Sequence, residues 1–167
     1  MEKLIEAVKL SLDTRNWYSA LIVVLTMPDI AGKIEYPSIN KSGERYASWF
    51  NDYCGDKYKK EIGPNHDEHV FLNGNDCYAL RCSYLHEGVS DTSHQSAHDL
   101  LENFKFVVPE LGVKKHCNLE GKRLQVQVDE FCKDILGGIK NWLRVIKGSN
   151  DKQDKLNNQL VIYSILE

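Results

Sequence analysis

The apolar residues at the start of the chain recur at helical spacing. Leu4, Ile5, Val8 and Leu12 fall three and four apart, which predicts a helix over about 1–12. Asp13 and Thr14 offer a stop and a new N-cap. Trp17, Ala20, Leu21 and Val24 predict a second helix over about 15–26, which Pro28 should end or kink. Residues 28–41, with Gly32, Pro37 and Ser38, read as a connection. Tyr46, Trp49, Phe50 and Tyr53 mark the apolar face of a third helix near 43–54. Residues 57–69 are polar, contain Gly63-Pro64, and read as loop or broken helix. Val70-Phe71-Leu72 is a short apolar anchor, and Asn73-Gly74-Asn75-Asp76 after it is a turn and helix-start signal. A fourth helix is expected over about 76–87, stopping at Gly88, since glycine tolerates the positive φ that follows a helix C-terminus.

Beyond the polar stretch at 90–96 the period changes. Phe104, Phe106 and Val108 alternate with Lys105 and Val107, and Leu124, Val126 and Val128 alternate with Arg123, Gln125 and Gln127. A period of two is the mark of a strand with one apolar and one polar face. Glu120-Gly121 is a plausible hairpin turn between such strands. The helical period returns at Phe131, Ile135, Ile139, Trp142, Leu143 and Ile146, predicting a helix over about 130–147. Gly137-Gly138 inside it costs helix stability and suggests a closely packed neighbour. A last short element carries Leu160, Ile162 and Ile165. The expected fold is mainly α: one domain over 1–167, a helical bundle with a small antiparallel β-sheet or hairpin inserted at about 103–128, before the penultimate helix.

Composition narrows the class. The 167 residues suit one domain. Hydrophobic residues at 42% and charged residues at 27% exclude collagen and a purely disordered chain. The longest apolar run, Ala20 to Leu25, is far short of the ~20 residues that span a bilayer, so no membrane association is expected. The N-terminus lacks the basic start and apolar stretch of a secretory signal. Five cysteines, an odd number with no Cys-x-x-Cys, fit reduced thiols and a cytoplasmic location. The net charge of −3 is uneven: residues 112–155 hold 10 Lys/Arg against 6 Asp/Glu, while the remainder holds 11 against 18. A basic C-terminal third suits a phosphate partner or simply a solvated face.

The stretch richest in candidate chemistry is Leu80-Arg81-Cys82-Ser83-Tyr84-Leu85-His86-Glu87-Gly88. Arg81 is permanently charged and can fork onto a phosphate. His86 falls in the expected last turn of its helix, where the dipole favours an imidazolium and biases the ring toward proton transfer near neutral pH. Five residues along a helix set the two side chains about 140° apart and ~7.5 Å apart along the axis. They meet only if Arg81 reaches around, the last turn distorts, or a second subunit supplies the partner. A helix that ends on a surface Arg and a half-buried His is the purely structural alternative.

The Arg-x4-His spacing on a late helix of a bundle, followed by a helix stop, resembles the HEPN superfamily (higher eukaryotes and prokaryotes nucleotide-binding). That resemblance implies a metal-independent, cofactor-free endoribonuclease, with Arg81 and His86 as the catalytic pair at a two-fold subunit interface. It implies RNA as substrate, a homodimer, and a toxin or phage-defence role with an antitoxin or other protein partner. Two positions depart from the family pattern. Cys82 follows the Arg where active members often have Asn, Asp or His. Gly88 stands where one toxin branch carries a modifiable Tyr, so regulation through that Tyr is not expected.

The chemistry needed is modest, because RNA carries its own nucleophile, the 2′-OH. Cleavage requires a base at that hydroxyl, an acid at the leaving 5′-oxygen and positive charge at the phosphorane. His86 would serve as base or acid and Arg81 would hold the phosphoryl oxygens. Ser83 and Tyr84 are close enough in sequence to orient substrate, or are ordinary packing residues. The rival constellation is metal: His94-x3-His98 and His66-x2-His69 each place two imidazoles about one helical turn apart, but a third and fourth ligand are not evident and no metal is expected. The cysteines lie in apolar patterns and read as core. Three functions therefore stay open: a ribonuclease, a catalytically silent RNA- or protein-binding dimer, and a plain helical adaptor.

Overall fold

A computed structural model describes residues 1–85, 104–121 and 123–158. The described part is mainly helical, with two small sheets. The helices are α1 (Glu2–Asp13), α2 (Trp17–Glu35), α3 (Ser42–Tyr53), α4 (Gly74–Leu85), α5 (Val128–Ile146) and α6 (Asn150–Asn157), with a 3-10 turn at Gly55–Tyr58. The strands are β1 (Lys59–Ile62), β2 (Asp67–Val70), β3 (Phe104–Val107), β4 (Asn118–Glu120) and β5 (Arg123–Gln127).

α2 is the hub and packs against α1, α3, α4, α5 and α6. Its start is set by Asn16, whose side chain accepts from the Ser19 N–H, so the cap falls at Asn16 and not at Thr14. Thr14 instead closes α1, its hydroxyl donating to the Leu10 carbonyl. Pro28 does not end α2. The helix runs through it to Glu35 because Ala31 and Ile34 extend the buried face. A proline there has no N–H to give the Val24 carbonyl. In the same turn, the buried Tyr46 hydroxyl donates to the Leu25 carbonyl at 3.2 Å, so α3 supplies a donor where α2 is weakened. α2 is long and apolar enough to cross a membrane by length and composition alone. Half of its most apolar window is buried inside the fold, as in the core helix of a bundle.

α4 begins at the expected signal, two residues earlier than its period suggested. Asn73 Oδ1 accepts from the Asn75 and Asp76 N–H groups, while Asp76 Oδ2 accepts from the Asn73 N–H. This reciprocal pair satisfies donors that a bare helix start leaves open. The Gly74 N–H donates to Asn51 Oδ1 on α3.

The sheet inserted before α5 has strand order β3-β5-β4. β4 and β5 form the antiparallel hairpin expected around Gly121, which turns with φ +62. β3, however, pairs β5 in parallel, so the sheet is mixed and not wholly antiparallel. The register matches Phe104 with Leu124 and Phe106 with Val126, aligning an apolar face. Phe106 carries that face onto Phe131 of α5. The polar face of β5 is buried too, contrary to the simple reading of alternation. Gln125 and Gln127 are enclosed because each finds partners: Gln125 accepts from Asn118 and donates to Glu120, and Gln127 accepts from the Lys115 N–H and donates to Asp129. A buried amide so satisfied avoids the desolvation cost of an orphan.

Residues 57–69, expected to be loop or broken helix, hold most of the exposed β1–β2 hairpin at 59–70, with positive φ at Gly63 and His66 in its turn. Short charged strands carry little apolar periodicity, which hid them. The elements expected beyond Leu85, and the last one with Leu160, Ile162 and Ile165, lie outside the described residues.

Glycines fix two helix crossings. A Cβ on Gly138 would lie 2.5 Å from Cys54 Sγ and 3.0 Å from the Tyr53 carbonyl oxygen, which explains the glycine inside α5. On Gly74 it would lie 2.2 Å from the Ala47 carbonyl oxygen, so α4 meets α3 backbone to backbone. Gly138→Ala should therefore destabilise by about 1–3 kcal/mol, although alanine is the better helix former. Gly74→Ala should cost more, because carbonyl and Cα atoms cannot swing aside. Urea denaturation of the two variants checks both the sign and the order.

Candidate functional site

The candidate site is built on the C-terminal half of α4, against α2. Arg81 sits one turn before the last described residue of the helix and is half-buried. Its Nε donates to Asp29 Oδ2 at 2.7 Å, with about a fifth of each side chain exposed. Burial works against the guanidinium's charge, but the Asp29 carboxylate outweighs it and raises the pKa above its ordinary value. A guanidinium has five N–H donors. The Asp29 bond uses the single donor on Nε, at one end of the planar fork.

The other expected site residues separate. His86 lies outside the described residues, so α4 brings Arg81 to the site without fixing its distance from the imidazole. The Ser83 hydroxyl donates back to the Ala79 carbonyl at 3.0 Å, a helix back-bond that commits its proton. Tyr84 is partly exposed and packs edge-on against Phe106 of β3, its centroid 6.0 Å away. Burial raises its phenol pKa, and Tyr18 on α2 adds to that. Arg81 thus meets α2, Tyr84 meets β3 and lies near Tyr18 of α2, and Ser83 bonds its own helix backbone.

Asp29 is the residue that sequence reasoning missed. It lies 52 positions from Arg81, just after Pro28, in a stretch expected to be a connection. Once α2 is seen to continue, the α2–α4 contact that places it follows.

A second polar cluster was also not foreseen. His116 Nε2 meets Asp134 Oδ2 at 3.2 Å, and Lys57 Nζ meets Asp134 Oδ1 at 2.8 Å. The cluster joins the chain before β4, the N-terminal half of α5 and the 3-10 turn. Burial opposes the imidazolium, but the hydrogen bond to Asp134 and the electrostatic influence of Asp134 and Cys117 raise His116 to about 9. Burial likewise opposes the Asp134 carboxylate, and His116 and Lys57 bring it below its usual range. His116 Nδ1 and the neighbouring Tyr58 hydroxyl are buried without hydrogen-bond partners, the rings 5.7 Å apart. With its free nitrogen turned inward, this pair is a clasp and not an acid–base site open to substrate.

Of the two metal alternatives, one falls among the described residues. His66 and His69 sit on the β1–β2 hairpin, and not one turn apart on a helix. His66 contacts Glu61 at 3.1 Å. His94 and His98 lie outside the described residues. Among the described residues no three His, Cys, Asp or Glu side chains are grouped to hold a metal ion. Cys54, Cys77, Cys117 and Cys132 are buried and Cys82 is half-buried. Burial raises the Cys77 and Cys132 thiols to about 12, far from thiolate reactivity.

No family model, curated protein or solved structure matches this chain.

Two outcomes are expected. A double-mutant cycle of Arg81→Ala and Asp29→Ala should give a coupling energy of about 1–2 kcal/mol, as for a part-buried pair in direct contact; a value near zero would make the contact incidental. For His116, a raised folded pKa stabilises fully below the unfolded value of about 6.5 and is lost as pH rises through about 9. Asp134 acts oppositely, its contribution being lost as pH falls through the carboxylate range. Melting temperature should decline between pH ~6.5 and ~9 in the wild type, and His116→Ala should flatten that decline.

Proposed function

We propose that the chain is a metal-independent endoribonuclease of HEPN type, acting as a homodimer in a toxin or phage-defence setting. The observation that carries the reading is the placement of Arg81. It is a part-exposed guanidinium on the late part of α4, anchored through Nε to Asp29 of α2. Anchoring at Nε, with Cys82 a further neighbour, leaves Nη donors suited to phosphoryl oxygens.

In this reading Arg81 stabilises the charge that develops on the phosphorane, an electrostatic contribution held ready by the fold. His86 takes the 2′-OH proton, or gives one to the leaving 5′-oxygen. One imidazole cannot begin the reaction both unprotonated and protonated. A two-fold dimer supplies a second copy, so the base and the acid come from different subunits. Asp29 is then a positioning residue.

A second reading draws on the same salt bridge. If Arg81 serves chiefly to tie α2 to α4, the chain is a catalytically silent RNA- or protein-binding dimer or a plain helical adaptor. The back-bonded Ser83 favours this, since it leaves one fewer side chain for substrate.

The deciding experiment is incubation with a mixed RNA pool in EDTA, wild type beside His86→Ala, Arg81→Ala and Arg81→Lys. Cleavage by the wild type is expected, unaffected by EDTA. A loss of about 10²–10⁴-fold is expected in His86→Ala. Both Arg81 variants should be nearly inactive, because a lysine point charge does not reproduce the fork. Circular dichroism of each variant separates loss of chemistry from loss of fold. An inert wild type, or alanine variants that cleave normally, would transfer the assignment to the silent reading. Light scattering that shows a strict monomer with and without RNA would remove the composite site.

A further inference from the structure

The outer face of α5 changes character along its length. Toward the N-terminus, Lys133 is neutralised twice, by Asp129 Oδ2 at 2.7 Å and Glu130 Oε1 at 2.8 Å. Glu130 also faces Lys114 at 3.8 Å. Toward the C-terminus stand Lys140, Arg144 and Lys147, all exposed. None of the three has an ion-pair partner among the described residues. The sequence explains why: from Ile135 to Asn150 there is no Asp or Glu. The next acids are Asp151, which is held by Lys155, and Asp154.

At 100° per residue these three cations lie within about 60° of arc and span ~10.5 Å of helix. They form one row, opposite the Gly138 side that packs on α3. Cations in a last helical turn complement the dipole, which accounts for Arg144 and Lys147. It does not account for Lys140, nearly two turns from the end, nor for a segment from 135 to 150 without Asp or Glu in a chain whose net charge is −3.

We propose that this row on the C-terminal half of α5 is a contact surface for the phosphate backbone of single-stranded RNA. The choice of RNA as the polyanion rests on the ribonuclease reading; the cationic row itself does not. A spaced line of fixed charges on a rigid helix suits a chain of phosphates. An anionic membrane is disfavoured, because among the described residues Val145 is the one large apolar side chain exposed on this half of α5, too little to bury in a bilayer. Arg81 is carried by α4 and the row by α5, so the row would contribute affinity without chemistry.

The test uses the full chain carrying His86→Ala, in EDTA, with fluorescein-labelled single-stranded RNA read by anisotropy across a salt series. The variant is Lys140→Gln/Arg144→Gln/Lys147→Gln, glutamine being a good helix former. The control is Lys3→Gln/Lys9→Gln/Lys33→Gln, which removes the same charge elsewhere. The row variant should bind about tenfold or more weakly at low salt. Its slope of log affinity against log salt should be shallower by about 2, as for three lost single-strand phosphate contacts. The control should keep most of the wild-type slope. Equal losses in row and control variants would overturn the proposal, as would a wild type that does not bind, or binding to phosphatidylserine vesicles in preference to RNA. Cleavage is read separately: if the wild type cuts RNA but the row variant binds unchanged, this surface falls and the ribonuclease reading stands. If the row binds RNA and nothing is cut, the reverse holds.

Discussion

The fold depends on one helix being asked to touch almost everything. α2 is nineteen residues long and has a proline near its middle, yet five other helices use it as their packing partner. That arrangement requires the helix to continue past the residue that weakens it. Burial of Ala31 and Ile34 provides the reason to continue, and the Tyr46 hydroxyl provides a donor to the backbone of the same turn. Glu35, at its far end, extends the same logic. It accepts from the Trp142 indole at 2.9 Å and from Lys152 at 2.7 Å, tying α5 and α6 to the end of the hub.

The continuation past Pro28 also creates the site. Asp29 sits where it meets α4 only because its backbone is helical. Its bond to Arg81 is at once a strut between two helices and a means of aiming a guanidinium. These roles do not conflict, since one N–H of the five is enough for the strut. They do mean that a variant of Arg81 alters packing as well as charge.

Much of the architecture was legible in the period of the apolar residues. α1, α3 and α5 fall within two residues of where their stripes place them, and Phe104, Phe106, Leu124 and Val126 are in strands. The Asn73–Asp76 signal marked the start of α4, and the glycine inside α5 signalled a close crossing. The failures have physical causes. Pro28 was read by its local penalty, which tertiary burial overrode. The β1–β2 hairpin has almost no apolar alternation. Gln125 and Gln127 looked solvent-facing, because the sequence cannot show that Asn118, Glu120 and Asp129 would meet them. The parallel pairing of β3 depends on the path between strands and not on either strand's pattern. For the site, Arg81 was visible as a type and a spacing; Asp29 and the His116–Asp134–Lys57 clasp were not, because their members are brought together only by the fold.

The exposed hairpin has a consequence for how the molecule coexists with its own copies. Among the described residues no third strand pairs with this ribbon, and open edges invite another chain to add a strand. Here they are blunted. Lys59, Lys60, Glu61, Asp67 and Glu68 fill most of the eight strand positions, and Glu61 faces Glu68 directly across the ladder. That pairing is a small cost within the ribbon, since like charges opposite each other repel. The same charges must be stripped of water before a foreign strand can dock, which makes the ribbon a poor template for aggregation.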